Sequence, residues 1–140
     1  MYVDKQCLLA DGMDCSQVAG DYYADYCYNI GATDDIGRGQ PLYVVICCDT
    51  AFTSGGSATV KFSIVDEADT TIDSSSVEIV STDTLAYTRL TEGKVIVIPV
   101  PANLITQQYI GLRVDIGTAT TTAGTITAFI AHDAFTNPGS

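Results

Sequence analysis

The sequence predicts an all-β protein, an antiparallel β-sandwich of jelly-roll type with an extended N-terminal arm. Three observations predict this class. Apolar and polar residues alternate with a period of two in several segments, which is typical of strands with one buried face. Glycine and proline clusters separate these segments. No long stretch shows a helical period, and the 18 threonines favour pleated strands over helices.

The alternation is clearest in three segments. In residues 58–64 the apolar side chains share one face, and Lys61 lies on the other. Residues 110–116 repeat the pattern with Arg113 on the polar face. Residues 125–130 form the third segment. We expect each of them to be a strand with one face in the core.

Two further segments, residues 42–48 and 94–98, are almost continuously apolar and predict strands that are buried on both faces. Shorter candidate strands are residues 26–30, 77–80 and 86–89. About eight strands at regular spacing are typical of an antiparallel sandwich or jelly roll.

The turn signals fall between these strands. Residues 37–41 precede the first long strand, and residues 53–56, with two adjacent glycines, separate it from the strand at 58–64. Pro99 is expected to end the strand before it, because proline cannot donate to a ladder. Residues 101–108 can form a short helical turn, and residues 118–124 are expected to form a polar loop.

Residues 1–140 are interpreted as a single domain, because no linker, repeat or low-complexity tract divides them. Residues 1–25 fit the sandwich worst, since they are polar and acidic and contain Gly12 and Gly20. We expect them to form an arm or long irregular segment. Such a segment would contribute little to the isolated fold and would become ordered against a partner.

The charge of the chain excludes several partners. The net charge is -11, and the six lysines and arginines are dispersed along the sequence. Without a basic cluster the chain is not expected to bind nucleic acid, and its acidity opposes binding to anionic membranes. No apolar stretch approaches the ~18 residues of a membrane span, and the N-terminus lacks the features of a signal peptide.

The cysteines do not follow a disulfide or zinc pattern. They are Cys7, Cys15, Cys27, Cys47 and Cys48, an odd number with irregular spacing. No CxxC pair is present, so no zinc site is expected. We expect free thiols, in keeping with assembly in a reducing cytoplasm, and no metal or cofactor.

No catalytic constellation is evident. His132 is the single histidine, and it is followed by Asp133. One titratable pair without a converging nucleophile does not make an active site, so we expect a protein that is not an enzyme. The carboxylates of residues 66–69 resemble a calcium-ligand cluster without the spacing of an EF-hand, and a weak calcium site there stays open. Residues 37–39 do not complete a phosphate-binding motif.

Four tyrosines form the richest aromatic group in the chain: Tyr22, Tyr23, Tyr26 and Tyr28. Tyrosine is common at protein interfaces, where the ring supplies contact area and the hydroxyl a hydrogen bond. Packing in the core is the equally weighted alternative for this group.

Residues 34–65 read DDIGRGQPLYVVICCDTAFTSGGSATVKFSIV. This run resembles the capsid cement (decoration) protein family of tailed bacteriophages, which shows a DIG-x-G-x-PLY segment, an apolar strand, a D-x-AFT-S-x-G-x-AT turn and a second strand. The matching positions are Asp35, Ile36, Gly37, Gly39, Pro41, Leu42, Tyr43, Asp49, Ala51, Phe52, Thr53, Gly56, Ala58 and Thr59. Residues 3–6 are similar to the family's LDKQ opening, and residues 124–129 to its last strand. Residues 9–28 depart from the family with additional acids, tyrosines and cysteines.

The resemblance implies a jelly-roll protein that binds the outer surface of the major capsid protein shell and cements neighbouring capsomers. It implies a virion protein on the capsid exterior, assembled in the host cytoplasm, that catalyses no reaction. It further implies a homo-oligomer, with a dimer favoured over a trimer. The residues expected at the interface with the shell or with another copy are Tyr2, Asp4, Lys5, Gln6, Tyr22, Tyr23, Arg38 and Arg113.

Two alternative functions compete with this one. A carbohydrate-binding or adhesion module would use Tyr22, Tyr23 and Tyr28 as a stacking platform, although the absence of tryptophan weighs against it. A jelly-roll metal enzyme is disfavoured because one histidine cannot supply a histidine-rich metal site.

Overall fold

The strands of the protein are defined by a computed structural model that describes residues 8–24, 26–29, 43–100 and 107–131. Within these residues there are ten strands: β1 (Leu8–Asp14), β2 (Gly20–Tyr23), β3 (Tyr28–Asn29), β4 (Tyr43–Ser54), β5 (Thr59–Glu67), β6 (Val77–Ser81), β7 (Leu85–Ala86), β8 (Val95–Pro99), β9 (Tyr109–Gly117) and β10 (Thr121–Ala131). A 3-10 turn, Tyr87–Arg89, follows β7.

The strands pair as a nested antiparallel hairpin, which is the connectivity of a jelly roll. β1 pairs with β10, β2 and β3 pair with β9, β4 pairs with β8, and β5 pairs with β6 and β7. The paired strands form two sheets. The first sheet has the order β1-β10-β4-β8, and the second has the order β2-β9-β5-β6. The predicted all-β sandwich is confirmed.

The core lies between the two sheets and is built by the alternating strands. In β5, Val60, Phe62 and Ile64 are fully buried, and in β9 the same holds for Leu112 and Val114. The first sheet contributes Val44, Ile46, Ile126, Ala128 and Ile130. Because successive side chains of a strand point to opposite faces, the residues between them in the second sheet form its outer surface.

The two apolar runs have different environments. β4 is central in the first sheet and is buried on both faces at Val44, Val45 and Ile46, as predicted. The run at 94–98 becomes β8, an edge strand whose first three residues are only half-buried. The prediction of burial on both faces is therefore wrong for β8. Apolar composition alone does not distinguish a central strand from an edge strand.

The N-terminal segment is part of the sandwich, which corrects the interpretation of residues 1–25 as an arm. β1 and β2 lie within it, and Leu9 is fully buried. The chain after β1 is also held to the first sheet, since the Cys15 amide donates to the Gly124 carbonyl at 2.8 Å. The sequence does not predict β1 as a strand, because two register shifts and Gly12, with φ of +61°, interrupt its alternation of apolar and polar residues. Residues 1–7 lie outside the described part.

Several shorter predictions are corrected in extent. Of the predicted strand at 26–30, the described residues 26–29 contain only the two-residue strand Tyr28–Asn29, and of residues 86–89 most form the 3-10 turn. The predicted loop at 118–124 ends earlier, because β10 begins at Thr121. Residues 37–41 and most of the predicted helical turn, residues 101–106, lie outside the described residues.

The described cysteines, Cys15, Cys27, Cys47 and Cys48, are all free thiols. Cys15 and Cys48 are buried between the sheets. Among the described residues, no helix has the length and apolarity needed to cross a membrane.

Candidate docking surface

The outer face of the second sheet collects five of the ten charged side chains that the described strands carry. Strand register places them in two rows. Tyr23 is opposite Arg113, which is opposite Ser63, and Asp21 is opposite Asp115, which is opposite Lys61. We call this surface the charged face; its members are Asp21, Tyr23, Lys61, Ser63, Glu78, Arg113 and Asp115.

Glu78 on β6 is the acceptor that joins three strands of the charged face. Its Oε1 accepts hydrogen bonds from the Arg113 guanidinium and from Ser63 Oγ, the latter at 3.2 Å. Lys61 Nζ lies 3.7 Å from the same oxygen. Arg113 also donates to Ser63 Oγ at 3.3 Å. Both cations of the charged face therefore share one acidic partner within the chain. Because the face carries three carboxylates (Asp21, Glu78 and Asp115) and two cations, a partner would meet a surface of net negative charge.

A pair of like charges lies beside this network. Asp21 on β2 is directly opposite Asp115 on β9. Burial, followed by the charge of Asp21 and a hydrogen bond with it, raises the pKa of Asp115, while Arg113 and Lys61 oppose the rise. Like charges directly opposite each other destabilise a strand pair. The side of the charged face nearest β2 thus carries the excess negative charge of this surface at neutral pH.

The structure brings together two of the residues predicted at the interface and separates a third. Tyr23 and Arg113 are cross-strand neighbours on the charged face. Tyr22 points to the opposite side of β2, where its ring packs against the core and its hydroxyl donates to the Val18 carbonyl at 2.6 Å. Strand parity therefore separates Tyr22 from Tyr23 and Arg113, and its assignment to an interface stays a prediction. Tyr2, Asp4, Lys5, Gln6 and Arg38 lie outside the described residues.

Strand parity also decides whether the three tyrosines of the carbohydrate-binding alternative lie on one surface. Tyr28, like Tyr22, packs against the core. Tyr23 lies on the other face of β2 from Tyr22. The three rings do not share one surface, so the stacking platform of the carbohydrate-binding alternative is not formed by them.

The acidic segment after β5 is held by its own hydroxyl groups. Glu67 Oε2 accepts from Ser75 Oγ and Ser76 Oγ, both at 3.0 Å, and Asp73 Oδ1 accepts from the Ser75 amide at 2.9 Å. Hydrogen bonds from the Ala68 amide and from the hydroxyls of Ser75 and Ser76 lower the pKa of Glu67. Hydrogen bonds from the Ser75 hydroxyl and amide lower the pKa of Asp73. In the described part of the chain, no group of three or more His, Cys, Asp or Glu side chains is arranged to hold a metal ion. His132 and Asp133 lie outside it.

Sequence reasoning identified only part of the charged face. Alternation placed Lys61, Arg113 and Asp115 on polar faces of their strands, but it did not place them beside one another. Glu78 and Asp21 were missed, because their positions depend on the pairing of β6 with β5 and of β2 with β9. A period-two pattern carries no information about which strands become neighbours.

A comparison with protein families gives a match. The model of the Bbp16 family matches residues 17–130, which contain β2 to β9 and nearly all of β10. No curated protein matches the chain.

Proposed function

This chain belongs to the Bbp16 family, and from that premise we propose that it is a virion structural protein of a tailed bacteriophage. It binds the outer surface of the shell formed by the major capsid protein and cements neighbouring capsomers, which stabilises the mature head. It acts as a homo-oligomer, with a dimer favoured over a trimer, on the exterior of a capsid assembled in the host cytoplasm. It catalyses no reaction and needs no cofactor, nucleic acid or membrane.

The observation that carries this proposal is the resemblance of residues 34–65 to the capsid cement family. The described part of that run, residues 43–65, forms β4, the turn after it and most of β5. β4 and β5 are inner strands of the first and second sheets respectively. The resemblance therefore falls on the segment that connects the two layers, where a shared pattern supports a shared fold.

The electrostatics of the molecule support a location outside the shell. With a net charge of -11 the chain repels DNA, and on the charged face Lys61 and Arg113 are already paired with Glu78. A protein on the exterior does not compete for the packaged genome. Recognition of the shell would then depend on Tyr23 and on the acidic side chains beside it, which suit a partner surface that carries basic residues.

The stabilising effect follows from mass action. A protein that binds the assembled shell and not its dissociated parts shifts the equilibrium towards the shell. When one copy or oligomer contacts two capsomers, the second contact is intramolecular once the first has formed, and the effective concentration rises. The nested pairing of first with last strands makes the sandwich a stiff connector for this purpose.

Co-sedimentation with purified heads that lack the protein tests the proposal. We expect the chain to sediment with intact heads, not to sediment with dissociated capsomers, and to raise the temperature at which the heads release DNA. Tyr23→Ala is expected to weaken head binding, and Tyr26→Ala, a change at an exposed tyrosine outside the charged face, serves as the matched control. If the chain fails to bind intact heads, the proposed function is wrong.

A further inference from the structure

The β8 edge of the first sheet differs from the other edges of the sandwich. β1 and β6 contain register shifts. β2 and β3 are separate strands along one edge, as are β6 and β7 along another. β8 instead pairs with β4 over five consecutive residues without a shift. Proteins protect sheet edges with bulges, interruptions, charges and proline. β8 is preceded by Lys94 and ends on Pro99, but the four residues between them carry none of these features.

The side chains of β8 are typical of a central strand, which has a neighbouring strand on each side. Residues 95–98 are Val-Ile-Val-Ile, apolar on both faces, yet among the described residues β8 pairs with β4 alone. Val95, Ile96 and Val97 remain half-buried. A regular apolar edge strand is a template for further strand pairing.

A hydrogen bond at the start of β8 shows which backbone groups of this strand face β4 and which face away from it. The Cys48 amide donates to the Lys94 carbonyl at 2.8 Å, so this carbonyl points towards β4. In an antiparallel ladder the backbone groups of successive residues point to opposite sides. Ile96 and Ile98 therefore bond to β4, whereas the backbone groups of Val95 and Val97 point outward.

Pro99 has the same parity as Val95 and Val97, so its ring nitrogen also faces the outer edge. Proline is tolerated at this position because no bond to β4 is lost. The outer edge of β8 thus presents amides at Val95 and Val97 and carbonyls at Val95, Val97 and Pro99.

We propose that two copies of this chain associate through β8, paired antiparallel about a two-fold axis near Val97, so that the two first sheets become one continuous sheet. In this register the two Val97 residues exchange two hydrogen bonds. Each Val95 amide donates to the Pro99 carbonyl of the other copy. Every outward amide of the two strands then donates to a carbonyl of the other copy. Pro99 has no N–H, so its position needs no acceptor.

The distribution of charge favours a second copy as the occupant. The acidic residues Asp11 and Asp14 lie on β1, at the edge of the first sheet opposite β8. Two chains of net charge -11 repel each other least when these edges are far apart. Residues 95–98 carry no charge that would select an oppositely charged partner, and an identical apolar strand complements both of their faces.

This inference rests on the proposed function in one respect, which is that the strand pairing with β8 comes from a second copy of the chain. Its test needs no capsid. Sedimentation of the purified chain over a range of concentrations is combined with amide hydrogen exchange. We expect a dimer in which the Val95 and Val97 amides are protected and lose protection on dilution. The amides of Ile96 and Ile98 are the internal control, and they should stay protected at every concentration.

Substitutions on two edges complete the test. Val97→Lys and Val95→Lys are each expected to raise the dissociation constant of the dimer by about tenfold or more, which corresponds to ~1.4 kcal/mol. Val77→Lys places the same charge at an exposed residue of the shifted β6 edge and should leave association unchanged.

Three results would overturn the inference: a chain that stays monomeric, a dimer whose Val95 and Val97 amides exchange freely, or folded lysine variants that associate as the wild type does. If Val97→Lys does not fold, the association of Val95→Lys and the hydrogen exchange of the wild-type amides still test the pairing through β8. Binding to heads is a separate readout. A dimer that forms through β8 and does not bind heads would refute the proposed function and leave this inference intact.

Discussion

Ile72 lies directly over Gly111 on the outer face of the second sheet. A Cβ atom at residue 111 would be 2.7 Å from Cγ1 of Ile72, well inside van der Waals contact. Val65, the cross-strand neighbour of Gly111, is fully buried although it is not part of the core between the sheets. The segment between β5 and β6 therefore folds back over its own sheet, and Gly111 leaves the space that Ile72 fills.

This contact predicts that Gly111→Ala destabilises the protein. The added methyl group forces Ile72 or the segment that carries it to move, at a cost of roughly 1–3 kcal/mol. Chemical denaturation measures the loss. In an Ile72→Ala background the same substitution should cost much less, because the colliding atoms are gone. Equal costs in the two backgrounds would show that Ile72 does not occupy this space in solution.

Leu9→Ala tests the contribution of β1 to the isolated fold. Leu9 is fully buried between the sheets, so the truncation should cost roughly 2–5 kcal/mol in unfolding free energy. Leu8→Ala, at the half-buried neighbour on the other side of the strand, is the control and should cost less. A loss below about 1 kcal/mol at Leu9 would restore the interpretation of this segment as an arm outside the core.

Asp115→Asn is expected to stabilise the protein at pH 7. In the folded state burial and Asp21 raise the pKa of Asp115, so the folded state binds a proton more readily than the unfolded state does. The free energy of unfolding therefore falls as the pH rises from the ordinary pKa of the carboxyl, which holds in the unfolded state, through its raised pKa in the folded state. At neutral pH Asp115 is charged in both states, and its charge destabilises the folded state in full. The neutral amide removes the repulsion, with a gain of roughly 0.2–1 kcal/mol.

Thermal and chemical unfolding over a pH series checks this prediction. The gain from Asp115→Asn should shrink as pH falls below about 4, where a carboxyl of ordinary pKa also becomes protonated. Asp11→Asn, at an exposed residue of β1, removes the same formal charge and controls for the overall reduction in acidity. A gain that is independent of pH, or equal at Asp11, would argue against the Asp21–Asp115 pair as its source.

The described thiols should differ in reactivity in the native state. Burial, with smaller contributions from Asp14 and Cys48, raises the pKa of Cys15 to about 12. At pH 8 its thiolate fraction is then on the order of one in ten thousand. Alkylation followed by peptide mass spectrometry should label the half-buried Cys27 and Cys47 before Cys15 and Cys48. Rapid labelling of Cys15, or a disulfide that includes it, would contradict its place in the core.

The charged face shows how far the sequence alone could lead. Alternation assigned Arg113 and Lys61 to polar faces, but the adjacent tyrosines 22 and 23 gave no sign of which one points inward. The register of β2 against β9 decides this, since Tyr22 is opposite the buried Val114 and Tyr23 is opposite Arg113. Glu78 joins the same surface only because β6 pairs with β5.

The sequence by itself determined the all-β class and the inner faces of β5, β9 and β10, because side-chain parity is a local property that each strand carries in its own residues. Tertiary structure decided the rest. It made residues 8–14 a strand, since pairing with β10 outweighs the interrupted pattern of that segment, and it placed an apolar run at the edge as β8. Strand partners are far apart along the chain, and their choice depends on burying all the apolar faces at once, which no local pattern records.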